Sequence, residues 1–426
     1  WQPWLQGLDA QLAAADVLCF SVGSLGELAL AAVLADHVRQ HHPQVHACLG
    51  HHRWENFSLA WRLERLVREG ALLSLFDSVL LREDRAGAAL ASLCRALRDG
   101  DLAGLQGIAV RLDGAVQLLA PAGPPEANPP PPLDDGPEEA AIADYLASTG
   151  LPADRLLLHE ALVRNDCHYG RCTFCVQNLG YPQRQQYKHP PELQRTLGLL
   201  RHLVRRHGLR HVSFSDQAVH TGLLEALCSA LEADPLPGLR WCIRMLPEVA
   251  LGTGPMLHRL AALGCADILL GVESTDPATL RAMGKAHTFH GPAAHAWLRQ
   301  CAAAGIDVTL STIRAFPSES DAAFEAGTAT LLRECAVQHR HVTAITNRFE
   351  LFEGSEIAAA PARFGVAAVT RPDGDLTQLL NYVDIHGRRS DAAPPAAAPA
   401  EAAAAHLHYG SIGLLHRWRT GRWLAD

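Results

Sequence analysis

Three cysteines crowd into nine residues, Cys167-His168-Tyr169-Gly170-Arg171-Cys172-Thr173-Phe174-Cys175. Four residues separate the first pair and two the second, and the next cysteine along the chain is Cys228. Thiolates this close in sequence are natural ligands for iron–sulfur or zinc. A structural zinc ion and an electron-transfer cluster each take four closing ligands. Three ligands on one short loop leave a metal corner open, where a small molecule can bind and react. A zinc site completed by His168 or a distant histidine is the bland alternative. Zinc ribbons usually show a second ligand pair at regular spacing, and this chain has none beside the loop.

The elements that must position this loop follow from pattern. Short apolar runs alternate with helical stretches along most of the 426 residues. In the first part, strands are expected at Asp16–Val22, Val45–Gly50, Asp77–Leu81 and Ile108–Leu112. Helices are expected from the Gly23/Gly26 turn to about Arg39, at Phe57–Arg68 and at Gly87–Leu97. Such alternation argues for a parallel sheet with crossover helices. Pro121 to Gly136, with the run Pro129 to Pro132, reads as a stiff linker. Beyond it, strands are expected at Leu156–Val163, His211–Ser215, Leu239–Arg244, Asp267–Leu270, Asp307–Thr312 and Val342–Thr346. Helical patterns at Glu192–Arg206, Thr221–Glu232, Pro255–Leu263, Pro292–Ala304 and Asp321–Cys335 fall between them. Six strand–helix units suggest a barrel or partial barrel, whose sites collect at the carboxyl ends of the strands. The cysteine loop follows the first of those strands. The expected division is therefore 1–120, a linker at 121–150, a barrel at 151–348 and a closing segment at 349–426 with an Ala/Pro-rich stretch.

Bulk composition narrows the function classes. Lys and Arg total 37 against 45 Asp and Glu, a net charge of −8 without a long basic run. That argues against a nucleic-acid partner. No apolar stretch approaches the ~18 residues of a membrane span. Without a signal-peptide pattern, a cytoplasmic location is expected. Eleven cysteines in a chain this long do not make a disulfide scaffold. Core packing is the favoured reading for Cys19, Cys48, Cys94, Cys228, Cys242, Cys265, Cys301 and Cys335. The pairs His41-His42 and His51-His52 read as solvated, neither having an evident second ligand set.

With Phe174 just before its last cysteine, the loop resembles the signature of the radical S-adenosylmethionine (SAM) superfamily. The usual spacing there is three residues and then two, so the first gap is one residue longer here. The resemblance implies that Cys167, Cys172 and Cys175 hold a 4Fe–4S cluster whose open iron takes SAM. It implies SAM contacts from Phe174 on the loop, from Ser215 and Asp216 after the second strand, from Arg244 at the third, and from Glu273 and Ser274 at the fourth. Asp216 also reads as a helix cap, and Glu273 as a strand-end salt-bridge partner. Leu280-Arg281-Ala282-Met283-Gly284-Lys285 and Ala303-Ala304-Gly305-Ile306-Asp307-Val308 look like family sequence. Ala315-Phe316-Pro317-Ser318-Glu319-Ser320 is similar to the family's Gly-Phe-Pro-Gly-Glu-Thr pattern with small replacements.

The first part resembles the partial Rossmann-like domain that binds cobalamin in many of these enzymes. Ser21 and Gly50, at strand ends, are the implied contacts. Arg82 and Asp84 stand where that pattern has glycines, and the Asp-x-His-x-x-Gly ligand motif is absent. The chain begins at Trp1, and such domains usually open with strands that would lie before it. Phe349-Glu350-Leu351-Phe352-Glu353-Gly354-Ser355 and Phe364-Gly365-Val366 resemble the segment after the barrel in the peptide-modifying branch. The expected activity is radical modification, by methylation, of a ribosomally made peptide or other natural product. A one-electron reductant of flavodoxin or ferredoxin type would be a partner. A cobalamin-free cyclase, cross-linker or epimerase and a non-catalytic zinc-stabilised binding protein are the alternatives. No residue is singled out as catalytic.

Overall fold

Alternating apolar strands and one-sided helices can bury their faces in few ways, and the chain uses a layered α/β solution. The computed structural model describes residues 7–9, 12–22, 25–51, 67, 72–81, 86–100, 102, 105–112, 115–119, 147, 150, 157–160, 162, 167–176, 190–285, 288–371 and 379–391. The chain divides into two units, Trp1–Pro129 with Asp373–Gln378 and Pro130–Pro372 with Leu379–Asp426. The expected helix at Phe57–Arg68, the proline-rich linker and the Ala/Pro-rich tail lie outside the described residues, apart from Val67 and Asp391.

In the first unit, β1 (Val17–Val22), β2 (His46–His51) and β3 (Ser78–Leu80) pair in parallel. Helix α1 (Leu25–His41) follows β1, and α2 (Ala86–Asp99) follows β3. Leu28, Ala31, Ala35 and Val38 are all buried on α1, at the spacing of one helix face. β4 (Ile108–Leu112) then pairs antiparallel with β3, and β5 (Ala115–Leu119) antiparallel with β4. The parallel expectation thus holds for three strands and gives way to a hairpin at the sheet edge. A sequence signal for that hairpin was present: Asp113-Gly114 between two apolar runs is a favoured two-residue connection.

In the second unit, six strands run parallel in strict sequence order: β6 (Leu157–Glu160), β7 (His211–Phe214), β8 (Arg240–Met245), β9 (Cys265–Glu273), β10 (Asp307–Arg314) and β11 (Val342–Arg348). This is the order of a partial (β/α)6 barrel. Helices α3 (Pro190–His207) and α4 (Thr221–Ala233) follow β6 and β7. The expected helix at Pro255–Leu263 is a 3-10 turn at Gly254–Met256 followed by α6 (Leu257–Ala262), and a short helix not expected from sequence, α5 (Pro247–Gly252), precedes it. Thr253 separates the two, its buried hydroxyl turning back to the Ala250 carbonyl at 2.7 Å. α7 (Pro277–Ala282) and α8 (Gly291–Ala304) follow β9. Asp276 caps α7 by accepting from Thr279 N at 2.7 Å, and Gly305 at φ 76 closes α8. The expected helix at Asp321–Cys335 is α9 (Asp321–Phe324), a π-turn at Glu325–Ala329 and α10 (Thr330–Gln338). That π-turn brings the Thr328 hydroxyl within 2.9 Å of Thr275 N, so it packs on the turn after β9.

One apolar core unites strands and helices of this unit, with Trp241, Phe289, Leu298 and Val308 fully buried. Removing a side chain the size of Trp241 from such a core costs about 3–5 kcal/mol. After β11 come β12 (Leu351–Phe352), α11 (Glu356–Ala359), β13 (Val366–Thr370) and β14 (Leu379–Asp384). These strands form a three-stranded antiparallel sheet, β12-β14-β13. Its apolar residues join Met283, Ile313, Phe316 and Phe349 in a second cluster. Arg388 pins the segment down, donating to the Phe316 and Glu319 carbonyls at 2.9 and 2.7 Å.

Among the cysteines read as core, Cys48, Cys228, Cys242, Cys265, Cys301 and Cys335 are buried, but Cys19 and Cys94 are exposed. Both sit on the outer rows of their elements, where alternation and helical phase, not residue type, decide burial.

Ala315, just past β10, has φ 59, a left-handed conformation that costs a residue with a Cβ about 1–2 kcal/mol. Ala315→Gly should therefore leave stability unchanged or raise it by up to about 1 kcal/mol, once the greater freedom of glycine in the unfolded chain is set against the relief. Urea denaturation reads this directly. A loss above about 1 kcal/mol, the ordinary cost of a helix or strand glycine, would contradict it.

Candidate functional site

The cysteine loop lies beyond the carboxyl end of β6, where strand ends of a parallel barrel collect their chemistry. None of the three thiols is in a disulfide, and all are partly exposed. Cys167 makes an isolated bridge to Ala218, past the end of β7, and His168 Nδ1 donates to the Ala218 carbonyl at 2.8 Å. The other side of the loop is tied to the segment after β9. The Tyr169 hydroxyl donates to Gly284 O at 2.6 Å, Thr173 N to Met283 O at 3.1 Å and Thr173 Oγ1 to Ala282 O at 2.7 Å. Ile357 N, on α11, donates to Thr173 O at 3.2 Å. Gly170 at φ 58 supplies the sharp bend between these anchors. Phe174 packs against the cluster that contains Leu280, Met283 and Ile357.

Gly284 is where the loop comes closest. It has φ 74, and a Cβ there would collide with the carbonyl oxygen of Arg171. Gly284→Ala should therefore destabilise by at least about 2 kcal/mol, combining left-handed strain with a backbone clash. Chemical denaturation measures the first effect. Metal uptake by the cysteines measures the second, a displaced loop. A variant as stable as the parent would show that the loop does not rest on this glycine.

The ends of three strands, β7, β8 and β9, carry polar groups. Ser215 is half-buried, and its N–H donates to Glu160 O at 2.9 Å. Asp216 is buried and accepts from Leu162 N at 2.5 Å, holding the backbone that leads from β6 toward the cysteines. It does not cap α4, whose N-cap is His220. Arg244 is buried and donates to Gln217 Oε1 at 2.8 Å. Glu273 closes β9 at φ 60, a second residue with a Cβ held in the left-handed region. Strain of this kind gathers at functional sites.

Glu273 meets a partner that sequence reasoning missed. Lys285 Nζ lies 2.9 Å from Glu273 Oε1 and donates to Gly271 O at 3.2 Å. Side-chain exposure is 7% for Lys285 and 12% for Glu273, so this is a buried pair. Gly271 leaves room for it: a Cβ at that position would sit 2.9 Å from Glu273 Oε1. Burial works against the charged Lys285, but Glu273 and the neighbouring Cys172 outweigh it and raise its pKa. Burial in turn pushes the Cys172 thiol up to about 12, with Lys285 pulling the other way. The Lys285 signal was visible only as part of a run resembling family sequence, with nothing to say which acid it would meet.

Glu273 Oε2 is buried and has no hydrogen-bond partner among the described residues. A buried acceptor without a donor is rare in a finished interior and points to a group supplied from outside. Glu319 Oε2 is in the same condition. The other oxygen of Glu319 accepts from Ser274 Oγ at 2.7 Å, and burial raises the Glu319 pKa despite that bond. Ser274 is thus occupied in supporting Glu319, and Asp276 N donates to the same hydroxyl at 3.0 Å.

Three thiols on one short loop are a donor set that fits an iron–sulfur cluster with one corner left to another ligand.

In the first unit, Ser21 and Gly50 are direct neighbours in the β1–β2 register at the carboxyl ends of the two strands. Ser21 is exposed and Gly50 buried. A Cβ at Gly50 would make only ordinary contacts, 3.4 Å to Leu80 Cδ1 and 3.5 Å to Phe20 O, so internal packing does not demand the glycine. Arg82 and Asp84 lie outside the described residues. No helix among the described residues is long and apolar enough to cross a membrane.

No protein-family model and no curated protein matches the chain. Solved structures do. OxsB, a cobalamin-dependent SAM radical enzyme solved with aqua-cobalamin, superposes with a TM-score of 0.60 at 16% identity, over 90% of this chain and 58% of that one. TsrM from Kitasatospora setae, a radical SAM methyltransferase solved with tryptophan and a SAM analogue, gives 0.60 at 17% identity, over 87% and 71%. The chain therefore spans little more than half the length of OxsB. With the six ordered parallel strands, the cysteine loop after the first of them and the sheet that precedes them, these superpositions establish that the chain has the fold of the cobalamin-dependent radical SAM enzymes.

Proposed function

We propose that this protein is a radical SAM enzyme that methylates a ribosomally made peptide or other natural product. The observation that carries the reading is the cysteine triad after β6, together with a buried Glu273 oxygen at the end of β9 that has no partner among the described residues. Cys167, Cys172 and Cys175 would hold a 4Fe–4S cluster, leaving one iron without a protein ligand. When bound, the cluster supplies the electron for reductive cleavage of SAM, and cobalamin supplies a methyl carrier. Glu273 Oε2 and Ser215 would accept hydrogen bonds from the SAM ammonium, and Arg244 would balance its carboxylate. Phe174 would back the adenine. Asp216 and Ser274 act one step removed, Asp216 by fixing Leu162 and Ser274 by fixing Glu319. The buried Lys285 offsets the negative charge of Glu273 and the thiolates. Ser21 and Gly50 mark the strand ends that would face cobalamin, as strand ends do in open α/β sheets.

OxsB with aqua-cobalamin and TsrM with cobalamin and a [4Fe-4S] cluster support this cofactor set by shared fold. A flavodoxin- or ferredoxin-type protein would deliver the electron, in a reducing compartment such as the cytoplasm. Arg82 and Asp84, in place of expected glycines, favour a second reading in which the same chemistry runs without cobalamin, as a cyclase, cross-linker or epimerase.

Anaerobic reconstitution with iron and sulfide tests the main reading. It should yield about four irons per chain and reductant-dependent SAM cleavage. Stoichiometric zinc without iron or sulfide after anaerobic purification would overturn it. Loading with hydroxocobalamin decides the second reading: a chain that cleaves SAM but retains no corrin is the cobalamin-free enzyme.

A further inference from the structure

A second group of ligand atoms lies far in sequence from the cysteine loop, within the first unit. Asp9 is on a short helical stretch at residues 7–9, His37 is on α1, and His42 directly follows α1. His37 Nε2 and His42 Nε2 both address one carboxylate oxygen, Asp9 Oδ1, at 2.9 and 2.8 Å. All three ligand atoms lie within 4.8 Å of one another, and no other group among the described residues meets that condition. The pair His41-His42, read from sequence as solvated, is thus split. His41 is exposed, while His42 is 9% exposed and finds its second ligand set in Asp9 and His37. The two imidazole rings are mostly buried, at 13% and 11% side-chain exposure, and the carboxylate at 39% faces water. The His41 ring is 4.5 Å from that of His37, so a further imidazole stands beside the group.

We propose that Asp9, His37 and His42 form a binding site for a divalent late first-row transition ion of the zinc class. Ligands at about 2.05 Å from an ion stand about 2.9 Å apart at an octahedral angle of 90° and about 3.3 Å apart at a tetrahedral one. The Asp9–histidine distances of 2.9 and 2.8 Å lie at the lower end of that range, so a small expansion of the group would admit an ion. Two imidazoles and one carboxylate suit zinc, nickel, copper or iron and do not suit magnesium or calcium, which take oxygen ligands. Bound there, the ion would clasp residues 7–9 to the end of α1. The site stands apart from the cysteine chemistry, and the proposal does not depend on that reading.

The test uses the full chain carrying Cys167→Ala, Cys172→Ala and Cys175→Ala together, so that the loop takes no zinc. Under reducing conditions it is titrated with Zn²⁺ alone by calorimetry, beside the same chain carrying His37→Ala and His42→Ala as well. One zinc site should weaken by at least about tenfold when the two histidines are lost, the lower range found even for outer-shell partners of metals. Zinc should also raise the melting temperature of the first chain and not of the second. If the double histidine variant does not fold, Asp9→Asn replaces it, since the amide keeps an oxygen acceptor while losing the ligand charge. It should weaken zinc in the same direction. Identical isotherms with and without the histidines, or equal stabilisation by Mg²⁺, would overturn the site.

Discussion

Replacing Cys172 with alanine should leave a folded protein that holds no 4Fe–4S cluster and cleaves SAM only at background. The loop around Cys172 is anchored by Tyr169, Thr173 and Ile357, and none of those bonds uses the thiol. A partly exposed sulfur removed from such a loop costs about 1 kcal/mol or less, far below a core deletion. On the proposed reading, what would be lost is one of three cluster ligands, and Cys167 and Cys175 would not replace it from their own corners. Iron and sulfide analysis after anaerobic reconstitution, with circular dichroism to show the fold intact, makes the comparison. Cys167→Ala and Cys175→Ala should behave alike. A Cys172 variant that takes up the parent's iron and still cleaves SAM would remove the loop from the mechanism.

Lys285→Met should cost about 3–5 kcal/mol, because it strands Glu273 as a buried carboxylate without its counter-charge. The pair is nearly sealed from water, and one Glu273 oxygen already lacks a partner among the described residues. Adding Glu273→Gln to Lys285→Met should recover much of the loss, since a neutral amide carries a far smaller desolvation penalty than a charge. A double-mutant cycle by urea denaturation reads the coupling between the two. Lys285→Met at parental stability, or a double variant no better than the single, would mean that the ion pair does not hold the end of β9.

Much of the architecture was legible in the chain because period carries it. Six apolar runs of strand length with helical stretches between them allow few arrangements, and β6 to β11 fall within a few residues of the expected runs. The elements read less well have local reasons. The stretch at Pro255–Leu263 opens as part of a 3-10 turn, and the helix before it ends where the Thr253 hydroxyl satisfies the Ala250 carbonyl, which a continuing helix would use. The stretch at Asp321–Cys335 carries a π-turn because Thr328 bonds to the turn after β9, a contact between residues distant in sequence. β5 escaped notice although Asp113-Gly114 signalled a hairpin, since βα alternation elsewhere suggested another parallel strand.

The site divides along the same line. Ligand type and spacing are properties of a short covalent segment, so Cys167, Cys172 and Cys175 could be singled out from sequence alone as a candidate metal-binding loop. Which acid meets Lys285, that Asp216 serves the Leu162 amide and that Asp9 gathers His37 and His42 depend on chain closure over long separations. Sequence periodicity says which face of an element is buried and says nothing of which polar atom on another element it will meet. Hydrogen bonds and ion pairs are short-ranged and directional, so only the assembled tertiary structure decides them.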